Sequence, residues 1–313
     1  MIKTLNIEDG NFKEYSEIDK LIPKDTWIHI SHPTIEELND INKKTNIDYD
    51  LLLTTLDDQE VSHVDYSGDT TLIVLDIPYI DDGNYCTIPL TILFNNDYYV
   101  TACTQDTNFI DKVLKRSIIE PNKHIRLTIQ ILTKMANEYI ISLRRIDDYT
   151  KKTEKKLIET MKNKEIISLK NIHKSLVHFS TSLNSNKLLI NKLIRIEEFN
   201  KYEEDKELME DMIIEHDQAV EMCGIYRDII TGSMESFSNI IGNNMNNTMQ
   251  TLAIVTLVMS FPTLVASIFG MNVPVPFSDN EASFYWLIII SLILSCVSGI
   301  VIFKVINRRK RTK

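Results

Sequence analysis

The chain has 313 residues and a formal net charge of −10. An acidic balance repels nucleic acid and attracts cations, which argues against a nucleic-acid-binding role. Four scattered cysteines, Cys86, Cys103, Cys223 and Cys296, fit no zinc or redox spacing and read as free thiols in a reducing compartment. The averages hide an uneven distribution. Lys and Arg are absent between Asn243 and Phe303, where the only acids are Asp279 and Glu281; from Lys304 onward there are six bases and no acid. Residues 1–242 hold about 28 Lys/Arg against about 42 Asp/Glu, a balance of roughly −14. The chain therefore divides into a large acidic water-soluble part, an apolar part and a short basic tail. The first residues, Met1 to Asn6, lack the apolar run of a secretory signal, so the soluble part is expected in the cytosol.

Residues 1–120 read as an α/β domain. TWIHIS (26–31) and TTLIVLDIPYI (70–80) are strand-like, rich in β-branched and apolar residues. Between them, Ser31-His32-Pro33-Thr34-Ile35-Glu36-Glu37 predicts a helix start, with Pro33 in the first turn and acids that suit the helix dipole. CTIPLTILF and YYVTACT predict a hairpin across Asn95-Asn96-Asp97. His29 and His32 are spaced like a ligand pair but lack a cysteine or carboxylate cluster, so they are read as ordinary histidines.

Residues 121–250 change character. No proline occurs between Pro121 and Pro262 and no glycine between Gly83 and Gly224, and apolar residues recur at helical spacing, as in Ile129, Leu132, Met135 and Tyr139. Long helices forming a stalk are predicted, with a break near Ser180–Ser182 or Asn184–Asn186. The second helix is expected from near Lys187 into the apolar part, a rod of roughly 100 Å at ~1.5 Å per residue. A basic stretch (Lys151 to Lys164) and an acidic one (Glu203 to Asp211) either face each other as an antiparallel hairpin or form two solvated faces.

Two spans follow. Residues 251–269 carry no charge over about 19 residues, enough for a hydrocarbon core of ~30 Å. Residues 284–303 begin with Tyr285 and Trp286, whose amphipathic rings favour an interface. The basic tail, 304–313, is cytoplasmic by the positive-inside rule, and two spans return the soluble part to the same side. The loop 270–283 then lies on the far side. The plain alternative is that the spans only anchor a cytosolic domain. Asn246-Asn247-Thr248 matches a glycosylation sequon but falls on the cytoplasmic side. No P-loop, nucleophile elbow or HExxH motif is present, so neither catalysis nor ATP-driven transport is expected.

Directly after the first span stand Gly270-Met271-Asn272. Mg²⁺ sheds water reluctantly and prefers oxygen ligands. A ring of neutral carboxamide oxygens from Asn272 would hydrogen-bond its water shell without stripping it, whereas a ring of carboxylates would hold the ion too tightly to conduct. Gly270 would permit the turn that ends the helix. The simpler reading is a glycine helix cap beside an asparagine. A stripe of Glu235, Gly242, Asn246, Met249, Leu252, Thr256, Ser260, Thr263 and Ser267 follows helical spacing, polar or small except at Met249 and Leu252. Small hydroxyl residues in such a helix also serve interhelical packing, the reading preferred for Ser267.

The Gly-Met-Asn triplet at the outer end of the penultimate span, Pro262-Thr263 inside that span, the basic tail, and the segment 32–58 together resemble the CorA family of magnesium channels. The resemblance implies an α/β cytosolic domain, a long helical stalk and two C-terminal transmembrane helices assembled as a homopentameric funnel, with the first span lining the pore and the second outside. It implies a divalent-cation channel for Mg²⁺, with Co²⁺ or Ni²⁺ as further cargo. Asn246 and Asn272 match polar rings, Met249 and Leu252 a hydrophobic gate, and Glu235 a cytoplasmic acidic ring. Ser260 departs from the Met often found there. Cytosolic Mg²⁺ bound between subunits favours the closed state in the family; Asp69 and Asp211 match that pair, while Gly68 replaces a residue often acidic in relatives. The alternatives are a Zn²⁺ transporter of the same superfamily and a membrane-anchored scaffold without flux.

Overall fold

The computed structural model describes residues 2–5, 22–115, 119–272 and 282–311. The expected loop residues 273–281, including Asp279 and Glu281, lie outside the described residues. The chain forms two compact units, Met1–Met234 and Glu235–Lys313.

The first unit is built on a six-stranded sheet in the order β1-β2-β6-β5-β4-β3. The strands are β1 (Ile2–Leu5), β2 (Thr26–Ser31), β3 (His63–Ser67), β4 (Thr70–Asp81), β5 (Asn84–Phe94) and β6 (Tyr98–Cys103). The β2–β6 pair is parallel and the other neighbours are antiparallel. Alternation along the strands sends Ile28, Ile30, Leu72, Val74, Leu93, Val100 and Ala102 to one core, where Leu38 and Ile41 of α1 (Ile35–Thr45) and Leu51 and Leu52 of α2 (Tyr49–Leu53) join them. α4 (His124–Thr160) and α5 (Asn163–Leu193) pack against β4 and β5, and the edge-on rings of Tyr139 and Phe179 join the two helices, 5.1 Å apart.

The expected β5–β6 hairpin forms. Asn95 Oδ1 accepts the N–H of Asp97 at 3.1 Å and of Tyr98 at 2.9 Å. A second hairpin, β4–β5, turns on Asp82 (φ 45°) and Gly83 (φ 80°), the two left-handed residues that a tight two-residue turn demands. α1 starts at Ile35, later than expected. Thr34 is its N-cap and shares a capping box with Glu37, so Pro33 precedes the helix instead of sitting in its first turn.

The helix breaks also differ from expectation. α5 runs straight through Ser180–Asn186, because its polar side chains are satisfied elsewhere. Thr181 and Asn184 bond carbonyls one turn back, Ser182 pairs with Thr87 of β5, and Asn186 bonds the backbone of β4. The chain turns instead at Met161 (φ 50°) and between Leu193 and Glu203. After a short α3 (Phe109–Leu114) and the α4–α5 pair, α6 runs from Glu203 to Phe269 as one helix of 67 residues. Arg126 near the start of α4 bonds Glu204 (2.6 Å) and Asp205 (2.7 Å) at the start of α6, and Asn137 bonds Glu215. These contacts make α4 and α6 parallel there, so the Lys151–Lys164 stretch does not face the acids of Glu203–Asp211; Lys151 pairs with Asp147 of its own helix.

In the second unit, the C-terminal part of α6 packs against α7 (Ala282–Arg311). Among the described residues α6 alone is long and apolar enough to cross a membrane; α7 contributes the shorter apolar run Ile288–Val301.

Asn186 is fully buried where β3 ends and β4 continues. Its Oδ1 accepts the Asp76 N–H (2.9 Å) and its Nδ2 donates to the Asp76 carbonyl (2.8 Å), replacing a strand. Tyr139 Oη also donates to the Asp76 carbonyl (3.2 Å), so Asn186→Ala strands the Asp76 N–H, and the expected loss in denaturant unfolding of the detergent-solubilised chain is about 2 kcal/mol, at ~1–3 kcal/mol per unpaired buried group. His29 is buried with its ring nitrogens facing Thr101 (3.0 Å) and Ser31 (3.4 Å), and burial lowers its pKa from 6.5 to about 4. The folded value is depressed, so this stabilisation is complete above 6.5 and fades as pH falls toward 4. Between pH 7 and 4.5 the wild type should lose roughly 2 kcal/mol more than His29→Gln; equal losses would remove His29 from the acid transition.

Candidate ion pathway and acidic sites

The apolar half of α6 has two sides. Ile254, Val258, Phe261, Pro262 and Val265 are half-buried, at the spacing of one helix face. α7 covers that face: its Gly299 lies so near that an added Cβ would meet Val258 Cγ2 at 3.4 Å. Thr256 and Ser260 stand two residues either side of Val258, about 160° round on a 3.6-residue turn. Asn246, Met249, Leu252, Thr256, Ser260, Thr263 and Ser267 are all exposed, and the stripe from Met249 to Ser267 lies on the side away from α7. Glu235 is exposed and Gly242 half-buried.

The hydroxyls on this stripe have a fixed polarity. Thr256 donates to the Leu252 carbonyl (2.9 Å), Ser260 to Thr256 (2.8 Å) and Thr263 to Met259 (3.0 Å). Each proton is used inside the helix, so each oxygen presents lone pairs outward. That suits a hydrated cation, whose water hydrogens need acceptors. At the helix end, Gly270 N–H donates to Ala266 O at 2.9 Å, and a Cβ at Gly270 would sit 3.3 Å from that carbonyl. Glycine is fitted there by close backbone approach and not by a left-handed φ. Met271 and Asn272 follow, both exposed.

Asp69 and Asp211 are exposed residues of the first unit. Asp69 follows Gly68 (φ 58°) in the β3–β4 turn. It borders a cleft of about 1190 Å³ with Tyr66, His124, Arg126 and Glu203–Asp205. It also borders a smaller one of about 360 Å³ with Asn42, Asn46, Asp48 and Asp50. Asp211 lines neither. Within one chain no group of three or more His, Cys, Asp or Glu able to hold a metal occurs among the described residues. The sequence reading passed over Asp48, whose carboxyl is held below the usual carboxylate range by the Ser67 hydroxyl (2.5 Å) and the backbone N–H of Asp50. It also passed over the ion pairs that tie Glu204 and Asp205 to Arg126. The helix-start position of those acids was a usable signal.

An apolar helix with an outward row of oxygen acceptors, leaving an acidic α/β unit, fits a class of protein: membrane transporters of inorganic cations. The family follows from comparison. The profile of the CorA-like Mg²⁺ transporter protein matches residues 24–310, and the chain belongs to that family. A cobalt/magnesium transport protein CorA of Methanocaldococcus jannaschii is 26% identical over 95% of this chain and 96% of its own. The complete structure of the CorA magnesium transporter from M. jannaschii superposes with a TM-score of 0.79 at 24% identity, covering 98% of both chains. The ZntB cytoplasmic domain from Vibrio parahaemolyticus shares the fold, with a TM-score of 0.58 at 10% identity over 78% of this chain and 98% of that domain.

The two-sided helix makes a direct prediction. With Cys296→Ser as background, Thr256→Cys and Ser260→Cys should react with a charged thiol reagent in proteoliposomes roughly tenfold faster than Val258→Cys, whose position α7 covers. Comparable rates at all three positions would mean that this stripe is not the wet side.

Proposed function

We propose that the chain forms a homopentameric channel in the cytoplasmic membrane that passes Mg²⁺, and also Co²⁺ or Ni²⁺, inward down the membrane potential. The observation that carries this reading is the exposed acceptor stripe of α6 on the side away from α7, in a member of the CorA-like Mg²⁺ transporter family. One α6 cannot enclose a pore, so the stripe needs copies of itself around an axis. In this arrangement α6 is the inner span and α7 the outer one, both crossing the bilayer, with the soluble unit and the basic tail in the cytoplasm.

Each part of the stripe then has a task. Gly270, Met271 and Asn272 form the outer mouth, where five carboxamides hold the hydrated ion by its water. Thr263, Ser260 and Thr256 pass it on through neutral oxygens. Met249 and Leu252 form an apolar ring that closes by dewetting. Asn246 and Glu235 meet the ion on the cytoplasmic side. The potential supplies about 4.6 kcal/mol per divalent ion for each 100 mV, so such a pore needs a brake. Cytosolic Mg²⁺ held between Asp69 of one subunit and Asp211 of the next relieves carboxylate repulsion and favours the closed state.

The test is Mg²⁺ influx into liposomes loaded with a Mg²⁺-sensitive dye. Influx should rise with an inside-negative potential, and Asn272→Ala should lower it by tenfold or more, about 1.4 kcal/mol at the mouth. No influx with Mg²⁺ but influx with Zn²⁺ would select the zinc-transporting branch. No flux of either ion from a well-folded oligomer would leave an anchored scaffold.

A further inference from the structure

Pro262 lies inside α6 and has no N–H to give. The carbonyl four residues earlier, Val258 O, therefore loses its helical donor within an apolar stretch where an unpaired carbonyl is costly. α7 supplies the missing donor. Ser295 Oγ donates to Val258 O at 3.1 Å, and Ser295 is 6% exposed. The bond spans the two helices at the level where Gly299 also approaches Val258. Ser291, one turn before, is buried, and Gly299, one turn after, has no room for more than a light Cβ contact with Val258. Ser291 and Ser298 spend their hydroxyls on carbonyls of α7 itself, Ile288 at 2.8 Å and Ser295 at 2.9 Å. Of these three serines, Ser295 is the one that reaches across.

The geometry points to Ser295 as a positioning residue for the ion pathway: its hydroxyl satisfies the carbonyl that Pro262 leaves open and pins α6 to α7 there. Val258 is on the covered side of α6, and Thr256 and Ser260 are on the opposite side, two residues away along the chain. A pin at Val258 O therefore sets the rotation of the acceptor stripe. Without it, the freed carbonyl must find another donor, and α6 must turn or bend to do so. The role in the pathway rests on the proposed function; the hydrogen bond between Ser295 and the proline-freed carbonyl does not.

The test is a double-mutant cycle on the full-length protein. Pro262→Ala restores an N–H at position 262, so Val258 O no longer needs Ser295. Pro262→Gly restores it too and serves where the alanine variant does not fold. In detergent, Ser295→Ala should lower Tm by roughly 2–4 °C with Pro262 present and leave it unchanged in the Pro262→Ala background. In proteoliposomes, Ser295→Ala should cut Mg²⁺ influx roughly tenfold, Ser295→Thr should retain it, and Ser295→Ala should have no effect beyond that of Pro262→Ala. Equal Tm losses in both backgrounds would overturn the pin. Coupled Tm values with unchanged influx would overturn the positioning role. If the wild type carries no Mg²⁺ at all, the proposed function fails and the pathway role with it, while the Tm cycle still decides whether the pin exists.

Discussion

A backbone N–H or C=O that leaves water must find a partner, and in an apolar medium that partner must come from protein. This constraint orders both units. In the first, β3 is shorter than β4, and Asn186 of α5 takes over the Asp76 N–H and C=O just beyond its end. In the second, α6 stays helical through Pro262 and on to Phe269, so nearly every carbonyl in the apolar stretch has its own helical donor. The side-chain hydroxyls of Thr256, Ser260 and Thr263 turn inward to carbonyls of the same helix. What such a helix offers outward is acceptor oxygen and no free hydroxyl proton. A cation pathway needs that polarity, and it arises from hydrogen-bond saturation alone.

The same constraint explains why the two sides of α6 differ in kind. The covered side is apolar, with Ile254, Val258 and Phe261 half-buried and Val258 against the small residues Ser295 and Gly299 of α7. Small residues permit the close approach on which helix association in lipid depends. The open side is exposed and has no partner among the described residues. Met249 and Leu252 are 61% and 59% exposed, at the end of the stripe nearer the soluble unit in sequence. Apolar residues set beyond a row of hydroxyls give a helix that is wet at one level and dry at another, provided that copies face one another. A lipid-facing helix has no use for such a gradient.

Much of this was legible in the chain. The charge-free run at 251–269, the Gly-Met-Asn triplet and the family were readable because membrane burial restricts composition over a long window. β2 begins and ends where its β-branched run does, and Asn95–Asp97 turn as their side chains dictate. The errors arose where tertiary partners overrode local preference. Ser180 to Asn186 look like a helix breaker in isolation, yet β4 and β5 supply what Asn186 and Ser182 need. The true turn at Met161 carries no Gly or Pro and no side-chain cap at Lys162, so nothing local announced it. Which helices run parallel depends on the Arg126 pairs with Glu204 and Asp205, and charge blocks alone could not reveal that.

The fold does not choose the ion. Any choice between Mg²⁺ and Zn²⁺ is made by side chains along the proposed pathway. From Glu235 to Asn272, α6 and the residues after it contain no His and no Cys. Zn²⁺ is held best by imidazole and thiolate, ligands that require it to shed water. Mg²⁺ keeps its water and is met by neutral oxygen. The proposed pathway of carboxamides and back-bonded hydroxyls would offer Zn²⁺ no direct ligand better than its hydration shell, and would offer hydrated Mg²⁺ a row of acceptors at the right polarity. On ligand chemistry, the proposed pathway would favour magnesium by what it withholds from zinc as much as by what it gives.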